Sequence, residues 1–164
     1  MITISISNQM PKFFLIACVL FTASVQAELA EIGDWHQLQA QSIAMQAPIL
    51  VMFARSDCDY CKRLEEQQLL PLSRSAEGAT LIVRKHTQDL ALPPVLLADQ
   101  RFYPQELVRH FAVEIIPTVL LLNDQGLELA RLTGYNGSDF YTLRLEHAIQ
   151  QARMRLTQTQ RSLP

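Results

Sequence analysis

Several features that direct a chain toward a particular partner are missing from these 164 residues. No dense run of Lys and Arg crosses the chain, where 14 basic residues are set against 16 acidic ones for a formal net charge of −2. A phosphate backbone is bound by neutralising its charges, so this balance argues against nucleic acid as a partner. No glycine-rich dinucleotide turn is present, which leaves flavin and nicotinamide unsupported. Cysteine is scarce: there are three, with no second C-x-x-C and no paired-histidine motif. Zinc on a lone C-x-x-C would need two further ligands, so the metal reading lacks half of its donors. His36, His86, His110 and His147 are scattered and read as surface or helix residues, not as ligands or bases. No internal repeat, heptad pattern or low-complexity block divides the chain, and at 49% hydrophobic content it fits one ordinary domain.

The amino terminus differs from the rest. Lys12 is followed by FFLIACVLFTASV, with no charge until Glu28. This apolar core has the length expected of an export signal, is short for a membrane span, and ends in small residues at VQA, 25 to 27. The expectation is a signal peptide over 1–27, cleaved after Ala27, and an exported domain over 28–164 in the periplasm. The polar stretch before Lys12 leaves Met10 as an alternative start. LIAC, 15 to 18, resembles a lipobox and offers lipidation at Cys18 as a minor alternative, disfavoured because only five apolar residues separate Lys12 from Cys18. Removal of the signal leaves Cys58 and Cys61 alone, in an oxidising compartment where neighbouring thiols close unless something keeps reducing them.

Along the remaining chain, 34–46 reads as an amphipathic helix capped by Asp34, with Trp35, Leu38, Ser42 and Met45 on one face. ILVMFA, 49 to 54, is a continuous apolar run, as a strand covered on both faces requires. From Cys58 to about Leu70 neither Gly nor Pro interrupts a set of helix formers, and Pro71 is expected to disrupt or kink that helix. A strand over 80–87, a short helix over 104–111, a strand over 118–124, a turn at Gly126 and an antiparallel strand over 127–134 follow. A long terminal helix capped by Ser138 buries Tyr141, Leu145, Ala148, Ile149, Ala152 and Leu156, and its last residues, TQTQRSLP, are expected to fray. The order α-β-α-β-α-β-β-α predicts an α/β domain, a central mixed sheet with helices on both faces.

The chemistry lies in SDCDYCKR, 56 to 63. Taken with its position between strand and helix, with IIPT (115 to 118) opening the hairpin and with Gly134 after the hairpin, it resembles the thioredoxin superfamily over roughly 34–156. The resemblance implies a thioredoxin-like fold, Cys58 as exposed nucleophile, Cys61 as buried resolving cysteine, and Pro117 as a cis proline whose loop, with Ile116, lies on the substrate side of the cysteines. Cysteines three apart on a first helical turn can bond while only the first faces a substrate. A structural bridge closing so small a loop would remove little unfolded-chain entropy.

The chain also departs from that family. Asp57 stands where thioredoxins carry tryptophan, Asp59-Tyr60 where they carry Gly-Pro, and Met52 where they bury an aspartate six residues before the first cysteine. Another group, or a water, must then take the proton of Cys61; Arg84 or Lys85 falls near the place of a family lysine. A carboxylate about 7 Å from the sulfur, at an effective dielectric near 20, opposes a thiolate by about 2 kcal/mol, comparable with the upper range of the helix-end effect. The expectation is a moderately reducing pair, which an equilibrium potential near about −120 mV against glutathione would contradict. The stretch 88–104 exceeds the family core and reads either as a packed insertion or, from Pro93-Pro94, Val95 to Leu97 and Phe102-Tyr103, as a substrate contact. The leading expectation is a monomeric periplasmic thiol:disulfide oxidoreductase acting on protein disulfides, recharged by a membrane reductant donor and needing no cofactor beyond its Cys58–Cys61 disulfide. The alternatives are a disulfide oxidase or isomerase, although no separate dimerisation domain is present, and a non-catalytic binding module with the disulfide fixed.

Overall fold

The computed structural model describes residues 28–161, with side chains described to 158. The expectations for the signal, Cys18 and Met10 lie outside the described residues. The elements are α1 (Trp35–Met45), β1 (Ile49–Ala54), α2 (Asp59–Leu64), a π-helical turn (Glu65–Leu69), α3 (Leu70–Arg74), β2 (Ile82–Thr87), β3 (Val95–Leu97), β4 (Gln100–Phe102), α4 (Pro104–His110), β5 (Thr118–Leu122), β6 (Glu128–Thr133) and α5 (Ser138–Arg161).

Four strands form one sheet in the order β2-β1-β5-β6. β1 runs parallel to β2 and antiparallel to β5, and β5 is antiparallel to β6, so the sheet is mixed. All six β1 residues are buried, and the strand period of two divides them between two cores. Leu50, Met52 and Ala54 meet Leu64, Leu69, Tyr141, Leu145 and Ile149 from the α2–α3 helix and α5. Ile49, Val51 and Phe53 meet Trp35, Leu38, Leu107 and Phe111 from α1 and α4. Each fully buried aliphatic or aromatic side chain is worth roughly 1.5–3 kcal/mol relative to exposure, so this strand contributes to the apolar burial of both layers.

Residues 28–32 run along the outer edge of β2. Ile32 donates its N–H to the Lys85 carbonyl and Lys85 donates to the Ala30 carbonyl, each at 2.9 Å. Glu31 accepts from the amide and hydroxyl of Thr87 at 3.0 and 2.6 Å. The segment satisfies backbone groups that an exposed edge strand would leave open.

Several sequence expectations need correction. Met45 ends α1 but is 46% exposed, because the helix turns Trp35, Leu38 and Ser42 inward and leaves its last turn at the surface. Pro71 disrupts its helix, as expected: α2 gives way ahead of the proline to a π-helical turn, in which the Leu70 N–H reaches back to the Glu65 carbonyl, and the chain then stays helical to Arg74. The strand expected from residue 80 begins at Ile82, because Gly78–Thr80 form a 3-10 turn packed against the end of α3. A Cβ on Gly78 would stand 1.9 Å from the Leu72 carbonyl oxygen, so only glycine permits that approach. Ser138 is the first residue of α5 rather than its cap, its hydroxyl bonded to Asp139, and the helix runs through Arg161.

The insertion 88–104 is a packed hairpin. β3 and β4 pair through a two-residue turn, Ala98 and Asp99, both at positive φ. Val95, Leu97 and Phe102 are buried in the α1 and α4 layer, while Pro93, Leu96 and Tyr103 stay exposed and Pro94 is half-buried, so the hairpin packs on the core and still presents apolar residues at the surface.

Candidate active site

β1 delivers the chain directly to the cysteines. Cys58 is the N-cap of α2: it keeps extended dihedrals while its carbonyl accepts from the amides of Cys61 and Lys62, both at 3.1 Å. The Cys61 N–H also lies 3.1 Å from the Cys58 sulfur. Free amide donors and the helix dipole converge there, which favours negative charge on that sulfur.

Cys58 and Cys61 are joined as a disulfide with their Cα atoms 5.2 Å apart. The two sulfurs are not equivalent. Cys58 is half-buried, whereas Cys61 is 3% exposed and belongs to the core between sheet and helices. A reagent from solvent meets Cys58 first.

The loop opposite comes from the start of β5. The Ile116–Pro117 peptide is cis, Pro117 is buried, and Ile116, packed against both cores, is half-exposed. The Pro117 carbonyl accepts from the Gly134 N–H at 2.8 Å, which ties this loop to the end of β6. Gly134 has φ +73°, the left-handed region that suits a residue without a side chain. Arg131 holds the approach to the loop, donating to the carbonyls of Phe111 at 2.7 Å and Ala112 at 3.1 Å. Beside the cysteines lies an open groove of about 490 Å³, lined by Tyr60, Arg63, Gln67, Tyr135 and residues 136–138. Arg63 sits 4.6 Å over the Tyr60 ring, and the Tyr135 hydroxyl donates to Gln67 at 2.6 Å.

The charges around the pair differ from the sequence expectation in one respect. Asp57 is paired with Arg55 at 2.8 Å, so its opposition to a Cys58 thiolate is partly cancelled; both groups are exposed and screened. Asp89, which opens the insertion, accepts from the Ser56 amide at 2.9 Å and from its hydroxyl, fixing the loop two residues before Cys58. These two donors hold the Asp89 carboxyl below the usual range.

The core also contains a buried ion pair that composition alone did not locate. The Glu65 carboxylate lies 3.5 Å from the Lys85 ammonium, and Lys85 also contacts Glu28. Of the two basic residues considered on β2, Lys85 therefore faces the core behind the cysteines, while Arg84 is half-buried and donates to the Val83 carbonyl. The signal that could have found Glu65 is its spacing, four residues after Cys61 and so on the same helical face. His86 is buried against Phe53, with Nε2 2.8 Å from the Pro104 carbonyl, and takes a core position rather than one at the site. Among the described residues no group of three or more His, Cys, Asp and Glu side chains is placed to hold a metal ion.

The family model described as a thioredoxin-like domain matches residues 37–149. The chain belongs to that family. The family together with the C-x-x-C pair supports thiol:disulfide oxidoreductase chemistry in general. The periplasmic thioredoxin SoxS from Paracoccus pantotrophus, in reduced form, is 30% identical over 64% of this chain and 98% of its own, with a TM-score of 0.46. Thioredoxin from Fasciola hepatica is 17% identical over 76% of this chain and 99% of its own, with a TM-score of 0.53. The DsbH oxidoreductase is 20% identical over 80% of this thioredoxin-like chain and 92% of its own, with a TM-score of 0.54. The last two likenesses are likenesses of fold. No curated protein matches the chain.

Proposed function

We propose that this thioredoxin-like domain is an exported thiol:disulfide oxidoreductase that reduces disulfides in periplasmic proteins. The observation that carries the reading is the asymmetry of the pair: Cys58 is reachable at a helix N-cap with an amide directed at its sulfur, and Cys61 is buried one turn behind it. The Cys58 thiolate attacks a substrate disulfide and forms a mixed disulfide, expelling one substrate thiolate. Cys61 then loses its proton and attacks the Cys58 sulfur, so the second substrate sulfur leaves with the electron pair of the broken bond. The substrate gains two electrons, and the enzyme is left as the Cys58–Cys61 disulfide. Ile116 and the Pro117 loop form the substrate side, and the groove between Tyr60 and Tyr135 gives an extended chain a place to lie.

The periplasmic setting is supported by the apolar leader in the sequence and by the likeness to a periplasmic thioredoxin. A domain that reduces substrates there needs recharging from outside an oxidising compartment, which points to a membrane reductant donor. The redox pair requires no further cofactor, and the domain acts as a monomer. The test is Cys61→Ser, which blocks resolution: exposed to a protein disulfide, this variant should accumulate a covalent adduct through Cys58, cleared by added thiol. Failure to form an adduct under conditions where Cys58 is alkylated by a small reagent would reject the reading.

A further inference from the structure

Resolution of the mixed disulfide requires Cys61 to give up a proton inside the core, where the residue six before Cys58 is Met52 and carries no base. We propose that Glu65 is the acceptor of that proton, with Lys85 and Glu28 setting its charge; this rests on the exchange reading above and extends it.

Among the described residues, Glu65 and Lys85 are the charged side chains that are buried. Glu65 follows Cys61 by one helical turn, and its N–H bonds to the Cys61 carbonyl, so the two side chains stack on one face. Lys85 is the β2 partner of Met52, and paired residues on neighbouring strands direct their side chains to the same face, which here is the face that packs Cys61. The ammonium therefore stands on the side where the missing acid would have stood, and the acid reaches it from the helix. One Glu65 oxygen accepts from the Leu29 amide at 2.5 Å, while the other lies 3.5 Å from Lys85.

Glu65 and Glu28 place two carboxylates around the Lys85 ammonium. Glu31, paired with Lys85 along the β2 edge and so on the same face, is a third carboxylate there, held by the Thr87 amide and hydroxyl; Met52 and Ala54 on β1 are neutral, and Lys62 and Glu66 on the helix itself are exposed. The Glu28 side chain is 73% exposed, so the cluster has a polar route from the core to solvent. In the step, the Cys61 proton passes to a Glu65 oxygen and the electron pair left on Cys61 forms the bond to the Cys58 sulfur. The substrate sulfur departs from Cys58 as thiolate, and the proton on Glu65 is returned to solvent along the Glu28 side.

Stopped-flow reaction of the reduced full chain with dithiobis(nitrobenzoate) separates the two events. Attack by Cys58 is bimolecular, and release of the second nitrobenzoate thiolate by Cys61 does not depend on reagent concentration. In Glu65→Gln the second phase should slow on the order of 100-fold near neutral pH, the yield of a positioned general base, with the gap closing above about pH 9 where the thiol ionises unaided. Glu65→Asp should restore part of the neutral-pH rate. Should Glu65→Gln not fold, the paired change Glu65→Gln with Lys85→Met gives the same readout without an unpaired buried ammonium. A second phase with the wild-type pH profile in these variants overturns the role of Glu65 and leaves the exchange reading intact. Absence of a Cys61-dependent second phase in the wild type at any pH overturns the exchange reading itself.

Discussion

Glu65 and Lys85 are 20 residues apart in the chain, yet their carboxylate and ammonium meet 3.5 Å apart, Glu65 one helical turn beyond Cys61 and Lys85 paired with Met52 of β1. The two side chains are only 11% and 9% exposed, and beside each other they have only the Leu29 amide on Glu65 and the Glu28 carboxylate on Lys85 among the described residues. Removing one partner should therefore cost more than removing both. Lys85→Met is expected to lose about 3–5 kcal/mol of unfolding free energy, and addition of Glu65→Leu to recover most of it. Denaturant titration of the three variants checks this, and independent, additive losses would contradict it.

Tyr141 presents the opposite case, a buried polar atom with no partner. The side chain is 0% exposed, its ring meets Tyr135 edge-on at 5.0 Å, and its hydroxyl makes no hydrogen bond. Burial pushes its pKa well above the ordinary tyrosine value. Tyr141→Phe keeps the ring and removes the unsatisfied group, so it should stabilise the domain by about 1 kcal/mol. A loss of similar size in thermal or denaturant unfolding would show that the hydroxyl is satisfied in solution.

His86 makes stability depend on pH. Burial is the largest influence and drives its pKa below the usual 6.5, against weaker upward influences from the Pro104 carbonyl and the Glu31 charge. Above that value neither the folded nor the unfolded state binds the proton and the group contributes no pH dependence. As pH falls below 6.5 the unfolded chain takes up a proton that the folded chain resists, so stability drops until the lower folded pKa is reached. The slope from one such group is at most about 1.4 kcal/mol per pH unit. His86→Gln should flatten the acid side of the stability profile by up to that amount, and an unchanged slope would contradict the assignment.

The parts of this fold that were legible in the sequence are those set by local pattern. ILVMFA could be read as a doubly covered strand because the signal is continuous apolarity, and SDCDYCKR as a helix start because nothing after Cys58 opposes a helix until Pro71. The β3–β4 hairpin was hidden because its turn is Ala98-Asp99, which adopts positive φ without the Asn-Gly or Gly that usually announces it. Pro71 was legible as a disruption, and the π-helical turn ahead of it is the form that disruption takes. At the site, Cys58 and Cys61 stood out as types in a spacing, and Pro117 through the resemblance to the thioredoxin superfamily. The Glu65–Lys85 pair did not, because a glutamate in a helix and a lysine in a strand ordinarily face water, and only the tertiary packing of helix on sheet buries both. The same holds for Arg55 and Asp89, whose pairings with Asp57 and Ser56 depend on loop geometry.

The most direct measurement is turbidity during insulin reduction by dithiothreitol, with the wild type beside Cys58→Ser. Catalysed exchange through an accessible Cys58 is expected to bring precipitation forward with the wild type and to leave the uncatalysed time course with the variant. Equal time courses for wild type, variant and buffer would contradict it and would leave the fold as a binding scaffold with a closed disulfide.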